Sequence, residues 1–207
     1  VFLDDVQLAK RSWQVRNKIK TQNGELYLSI PIRKTNSRDN LLIKDAMINY
    51  ELGWSKKHLS SIEQNYSKCK YFIEVFDFIQ KHYDKRIEKL SNFNCELIKS
   101  ICYLLGVDTT FINSCSLKNN NFKKDEKLVN ICKELNGKEY YSALGSKEYI
   151  RSDLFFSNDL ILSFQDYDHP VYDQYGATFL SHMGIFDLLF NIGFDNSLQV
   201  IRQGKND

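Results

Sequence analysis

Beyond Gly106 the apolar spacing of this chain changes period repeatedly. "TTFINS" is strand-like, and "KDEKLVNICKELNG" is a helical pattern that stops at Gly137. "EYYSALG" is a strand and turn, "SKEYIRSDLFF" is helical, and "LILSFQDY" is a strand. Strand patterns that alternate with helical ones imply βαβ units, because parallel neighbours need a crossover and a helix makes it compactly. Val1–Val6 is a dense run of β-type residues and reads as a buried strand. The expected parallel strands are Val1–Val6, Thr110–Asn113, Glu139–Ser142 and Leu160–Tyr167.

Two further blocks follow the first strand. Asn-Gly in "TQNGE" is a strong hairpin signal between "NKIKT" and "ELYLSIPI", where Leu26, Leu28, Ile30 and Ile32 alternate onto one face. "RKTNSRDN" reads as a mobile polar loop, and "LLIKDAMIN" as a further strand before Gly53. Residues 54–106 are helical. Leu59, Ile62 and Tyr66 form one stripe, with Ser55 as N-cap. Phe72, Val75, Phe76, Ile79 and Tyr83 form a second, and Phe93, Leu97, Ile101 and Leu104 a third that ends at Gly106. These stripes read as core. "ATFLSHMGIFDLLFNIG" is expected to form a late helix with Phe179, Leu180, Met183, Phe186 and Leu189 on its apolar face. The expected fold is α/β: a mostly parallel, Rossmann-like sheet with a hairpin and the helical block inserted after the first strand. The 207 residues read as a single domain.

Composition narrows the function classes. Lys and Arg number 28 against 26 Asp and Glu, too balanced for nucleic acid to be the primary target. No apolar run is long enough to span a bilayer. The five cysteines have no C-x-x-C spacing, which argues against a zinc ribbon and for reduced, buried thiols in the cytoplasm. Cys115, past a strand, is the only one considered as a nucleophile. H-E-x-x-H and G-x-S-x-G are absent, so no metal is assigned and the cofactor is unknown. The chain also opens on Val1-Phe2-Leu3 without a Met, as if residues precede it.

Ligands of open parallel sheets bind beyond the carboxyl ends of the strands. After the first strand come Asp4, Asp5, Lys10, Arg11, Trp13, Arg16 and Asn17. The arginines offer forked donors for phosphate or carboxylate, and Trp13 a surface for a sugar or base. Asp4 and Asp5 can bind Mg²⁺, take a proton or anchor an arginine; successive strand residues face opposite ways, so one of them at most faces a given site unless the strand has ended. Gly145 and Ser146 before a helical segment, with Lys147, can hold an anion or simply make a turn. "DYDHPVYDQYG" supplies His169 as a candidate base, with Tyr172 and Gln174 as candidate ligand contacts. His58 and His82 read as surface or satisfied residues. Ser181, His182 and Asp187 are too close along one helix to make a triad.

The opening stretch "VFLDDVQLAKRSWQVRNKIKT" resembles the WbqC-like family of bacterial proteins encoded among surface-polysaccharide genes. That family shows a hydrophobic strand ending in Asp-Asp-Val-Gln, then Lys, an aromatic, and Asn-Arg-Asn-x-Ile. The matching residues are Asp4, Asp5, Val6, Gln7, Lys10, Trp13, Arg16, Asn17 and Ile19, with Val15 replacing the first Asn of the triplet. "GWSKKHLSSIEQNYSKCKYF", "ICKELNGKEYYSALGSKEYI" and "FLSHMGIFDLLFNIG" are similar to its later segments. The resemblance implies a strand-and-helix segment ahead of Val1. It also implies a transferase of O-antigen biosynthesis, with glycyl or aminoacyl transfer to an amino sugar. Its partners would be a sugar-nucleotide or lipid-linked sugar substrate and an activated amino-acid donor; the alternative is a non-catalytic binding protein of the same pathway. Asp4, Asp5 or His169 would take the proton, and the loop cations would hold phosphate.

Overall fold

The computed structural model describes residues 1–34, 40–118 and 122–206. The element order is β1 (Arg16–Thr21), β2 (Gly24–Ser29), α1 (Trp54–Tyr66), α2 (Phe72–Asp84), α3 (Leu90–Leu104), α4 (Lys124–Glu134), β3 (Glu139–Ala143), α5 (Ser152–Phe156), β4 (Ile161–Gln165), α6 (Ile185–Ile192) and α7 (Phe194–Gln203). The chain divides into two compact units. The larger takes Asp4–Thr110 and His169–Gln203; the smaller takes Val1–Leu3, Phe111–Asp168 and the residues from Gly204. Most of the expected polar loop between Arg33 and Asn40 lies outside the described residues.

In the larger unit the Asn-Gly signal gives the hairpin it predicts, with Arg16 opposite Ser29 and Thr21 opposite Gly24. The positive φ falls on Gly24, at +107°, not on Asn23. The Thr21 hydroxyl locks the turn: it donates to the Gly24 carbonyl at 2.9 Å and accepts from the Asn23 N–H at 3.2 Å. Leu28, Ile30 and Ile32 pack on the core as the alternation predicts, but Leu26 is exposed.

The helical stripes form that core, except at the end of the third, where Ile101 is buried outside the cluster and Leu104 is exposed. Ile62, Val75, Ile79, Leu90 and Phe93 are inaccessible to solvent or nearly so. Leu189 and Phe190 of α6 join them. α1 begins one residue ahead of the expected Ser55 cap, because Gly53 takes a left-handed conformation that turns the chain and buries Trp54. The indole sits 5.1 Å from the Tyr83 ring and 5.9 Å from that of Phe93. "LLIKDAMIN" is not a strand. It makes the isolated antiparallel bridges Gln7–Leu42, Ile32–Ile48 and Met47–Lys89 around a 3-10 turn at Ile43–Asp45.

The expected strand Val1–Val6 is also broken. Phe2 makes one parallel bridge to Asn113, and the chain bends at Asp5 and Val6. The carbonyls of Asp4 and Val6 then accept from the N–H groups of Lys44 and Ile43. Thr110–Asn113 likewise contributes only that bridge. The parallel pair of the smaller unit is β3–β4, in register from Glu139–Ile161 to Ala143–Gln165. One of its faces packs on α4 and α5 through Tyr140, Leu162, Val129, Cys132, Phe155 and Leu160. α4 ends through Asn136, whose φ of +54° is the left-handed cap expected of Gly137.

The late helix starts at Ile185, not near Ala177. Two features stop it. His182 is left-handed, at φ +58°, and the Gly184 N–H donates to the Lys18 carbonyl on β1 at 3.0 Å. A Cβ on Gly184 would stand 2.9 Å from that oxygen, so the approach requires glycine.

His58 and His82 are buried and hydrogen-bonded, so the satisfied alternative holds and not the surface one. His58 Nε2 lies 3.1 Å from the Ser29 carbonyl, which can only accept, so Nε2 carries the proton. Nδ1 then accepts from the Tyr83 hydroxyl at 3.3 Å. Burial pushes the His58 pKa down to about 4, against an opposing contribution from the Ser29 bond. The folded pKa lies below the unfolded one of about 6.5, so the unfolded chain takes the proton first as pH falls. The stability that neutral His58 supports is complete above about pH 6.5. It is lost towards pH 4, by about 3 kcal/mol in all. Urea titrations at several pH values should show His58→Gln with a shallower fall in stability over that window than the parent chain; His82, also shifted down by burial, retains its share of the slope in both.

Candidate functional site

The loop ahead of the hairpin disperses the side chains that are adjacent in sequence. Asp4 is buried and Asp5 half-buried, and both interact with neighbouring groups, as Lys10 does. Lys10 and the left-handed Arg11, at φ +56°, border a cleft of about 670 Å³. Trp13 is 65% exposed. Its ring lies 6.2 Å from that of Tyr27, and the Arg16 guanidinium sits over the same Tyr27 ring at 4.5 Å. Arg16 Nε is buried and makes no hydrogen bond. Asn17 serves the fold: the Oδ1 atom of its side chain accepts from the Lys18 N–H at 2.8 Å and lies where a Gly184 side chain would be.

Tyr27 escaped the reading of the loop because it lies on the other strand. The register pairs it with Lys18, so it is the diagonal neighbour of Arg16. The Asn-Gly turn contains that register, and projecting it across the hairpin would have found the residue.

A second centre in the larger unit surrounds Asp187, which is wholly buried. Its Oδ1 accepts from the Tyr66 hydroxyl at 2.7 Å. Its Oδ2 accepts from the Tyr172 hydroxyl at 2.7 Å and from Gln174 Nε2 at 2.6 Å. Tyr66 also accepts from the Lys20 N–H at 2.8 Å, which connects the carboxylate to β1. Tyr172 and Gln174, the candidate ligand contacts, thus spend donors on this carboxylate. Burial raises the Tyr66 pKa, and the Asp187 charge raises it further, so the phenol stays protonated as a donor.

The segment ahead of these residues carries His169. Its ring lies 4.7 Å from that of His182 and 6.1 Å from that of Tyr172. Nδ1 of His169 is buried without a hydrogen-bond partner. Burial, and then the neighbouring His182, lower its pKa, which favours the neutral imidazole that a general base requires.

A third opening, of about 530 Å³, is bordered by Lys20, Gln64, Tyr66, Lys68, Tyr175 and Thr178. The Lys20 ammonium is held at its edge by the carbonyls of Tyr175, at 2.8 Å, and Thr178, at 2.5 Å.

Gly145, Ser146 and Lys147 belong to the smaller unit. They do not open a helix, as expected, but lie in and just after the 3-10 turn Leu144–Ser146, ahead of α5. The Ser146 hydroxyl donates to the Ala143 carbonyl at 2.8 Å and is 2.7 Å from that of Ser142. The Lys147 ammonium lies 5.9 Å from the Phe164 ring. Cys115 is exposed, whereas Cys69, Cys95 and Cys132 are buried; none of the five cysteines is in a disulfide. Among the described residues no group of three or more His, Cys, Asp or Glu could hold a metal ion. No helix among them is long and apolar enough to cross a membrane.

The model of the WbqC-like protein family matches residues 1–198, taking in both Asp187 and the loop cations. The chain belongs to the WbqC-like family. It is also 31% identical over 195 residues to the uncharacterized protein Rv1507c of Mycobacterium tuberculosis, covering 93% of this chain and 83% of that one. No solved structure matches.

In this WbqC-like chain Asp187 joins β1, α1, α6 and the segment 172–174. Removing the carboxylate takes the acceptor from the Tyr66 and Tyr172 hydroxyls and one of two acceptors from Gln174 Nε2. Asp187→Ala should therefore destabilise the protein by about 3–5 kcal/mol, read as a lowered urea midpoint.

Proposed function

We propose that this WbqC-like protein is a cytoplasmic transferase of bacterial surface-polysaccharide assembly, acting on a sugar-nucleotide or lipid-linked sugar of the O-antigen type. The favoured reaction is glycyl or aminoacyl transfer to an amino sugar. One observation carries the reading: the exposed Trp13 beside Tyr27, with Arg16 over the same ring. An aromatic face beside a guanidinium suits a sugar next to a phosphate. We also read β3–β4 and the parallel Phe2–Asn113 bridge as parts of a Rossmann-like sheet.

The chemistry would be acyl transfer. The sugar amine attacks the carbonyl of an activated amino acid, the new amide forms, the donor's leaving group departs, and a base takes the amine proton. His169 is the favoured base, because its environment keeps it neutral. Asp4 or Asp5 is the alternative. A non-catalytic, ligand-binding role in the same pathway is the second reading. It is favoured by the Asp187 cluster, whose hydrogen bonds are made within the protein.

Mass spectrometry of nucleotide-linked and lipid-linked amino sugars, incubated with the protein, glycine, ATP and tRNA, decides between the two. The transferase reading expects an acceptor heavier by one glycyl group. If no acceptor gains mass while a nucleotide sugar still binds, the protein is a binding module. Arg16→Ala should weaken calorimetric binding of a nucleotide sugar by about ten-fold or more with little change in Tm. A large fall in Tm would make Arg16 a structural residue instead.

A further inference from the structure

The cleft bordered by Lys10 and Arg11 has a composition unlike that of the Trp13 platform. Its walls are Leu8, Val15, Ile30, Pro31, Ile32 and Leu41. Among the described residues that line it, none is acidic and none aromatic. Five of these side chains also pack on the hydrophobic core, so each has one flank buried and one towards the cleft. Backbone bonds fix the walls: the Leu8 N–H donates to the Leu41 carbonyl at 2.8 Å, and the Ile30 N–H to the Val15 carbonyl at 2.7 Å. A volume of about 670 Å³ is that of a small-molecule site.

The cations sit together in the turn at one border. Arg11 holds a left-handed backbone, a conformation that a non-glycine residue keeps only where its surroundings impose it. A nucleotide is a poor occupant, because none of the described lining residues offers a ring to stack on its base. An inorganic anion alone leaves the apolar walls uncovered. The complement of two cations beside an aliphatic trough is a hydrocarbon chain with a phosphate at its end.

We propose that this cleft binds an isoprenyl phosphate-type amphiphile: the phosphate on Lys10 and Arg11, the first units of the chain along Leu8, Val15, Ile30 and Leu41. The inference rests on the reading of the protein as acting on a surface-polysaccharide sugar and deepens it, since it makes the lipid-linked sugar the bound form. No covalent step is involved.

Calorimetric titration of the full chain with farnesyl phosphate, below its critical micelle concentration, tests this. Farnesol lacks the phosphate, and inorganic phosphate lacks the chain. Farnesyl phosphate should bind at least ten-fold more tightly than either. Arg11→Gly should weaken it by at least ten-fold while leaving Tm equal or higher, because glycine accepts the left-handed backbone without strain. Arg11→Lys should retain most of the affinity. Equal binding of inorganic phosphate reduces the cleft to an anion patch, equal binding of farnesol to an apolar groove, and no binding removes the site; each result overturns the proposal. The two readings fail separately. Glycyl transfer to a nucleotide-linked acceptor with no farnesyl phosphate binding sinks the amphiphile site alone. Farnesyl phosphate binding with no acceptor ever gaining mass sinks the transferase alone.

Discussion

The carboxylate of Asp187 is the interaction on which the larger unit turns. A buried charge is costly unless donors surround it, and here Tyr66, Tyr172 and Gln174 supply them. These donors come from widely separated stretches of chain. Tyr66 ends α1, while Tyr172 and Gln174 belong to the segment that leads from His169 towards α6. The Lys20 N–H, bonded to Tyr66, extends the network to the hairpin. Asn191, one turn on, continues it: its amide donates to the Asp187 carbonyl, and its Oδ1 accepts from the Tyr175 N–H. The segment between Tyr172 and Leu180 has no regular structure, so these side-chain bonds stand in for a backbone ladder. Gln174 holds Leu180 with both ends of its amide, donating to the carbonyl and accepting from the N–H.

The polar groups of this unit thus divide into two kinds. Asp187, Tyr66, His58 and His82 are buried and have partners, and their burial shifts the tyrosine up and the histidines down in pKa. The protonation of these three rings is fixed near neutrality and serves the fold. Trp13, Tyr27 and the Lys10–Arg11 turn instead lie at the surface. His169 stands between the two kinds, half-buried with Nδ1 unpaired.

Legibility follows the range of the forces involved. The hairpin is readable because Gly24 and the Thr21 hydroxyl settle the turn within a few residues. The three helical stripes are readable because a helix repeats its apolar face at a fixed spacing. Val1–Val6 and "LLIKDAMIN" mislead because their β-type residues are real, but strand pairing needs a partner in register and each finds only isolated bridges. The late helix reads too long because nothing in "ATFLSHMG" announces that Lys18, far away in sequence, captures the Gly184 N–H. The carboxylate cluster is hidden for the same reason. The sequence sets Asp187 beside Ser181 and His182, whereas two of its partners lie 13 and 15 residues earlier and the third 121.

By itself the sequence determined the hairpin, the helical core stripes, the parallel β3–β4 pair and the density of cations and indole ahead of β1. Family membership too was written in the Asp-Asp-Val-Gln stretch and its sequel. The tertiary structure decided where those side chains stand. It buried Asp4, committed Asn17, Tyr172 and Gln174 to internal hydrogen bonds, brought Tyr27 under Arg16 and set Lys10 and Arg11 beside an aliphatic trough. Local patterns specify what a segment can become, because turn and helix preferences act over a few residues. Whether a polar group is satisfied depends on partners from distant segments, and only the packed chain brings those together.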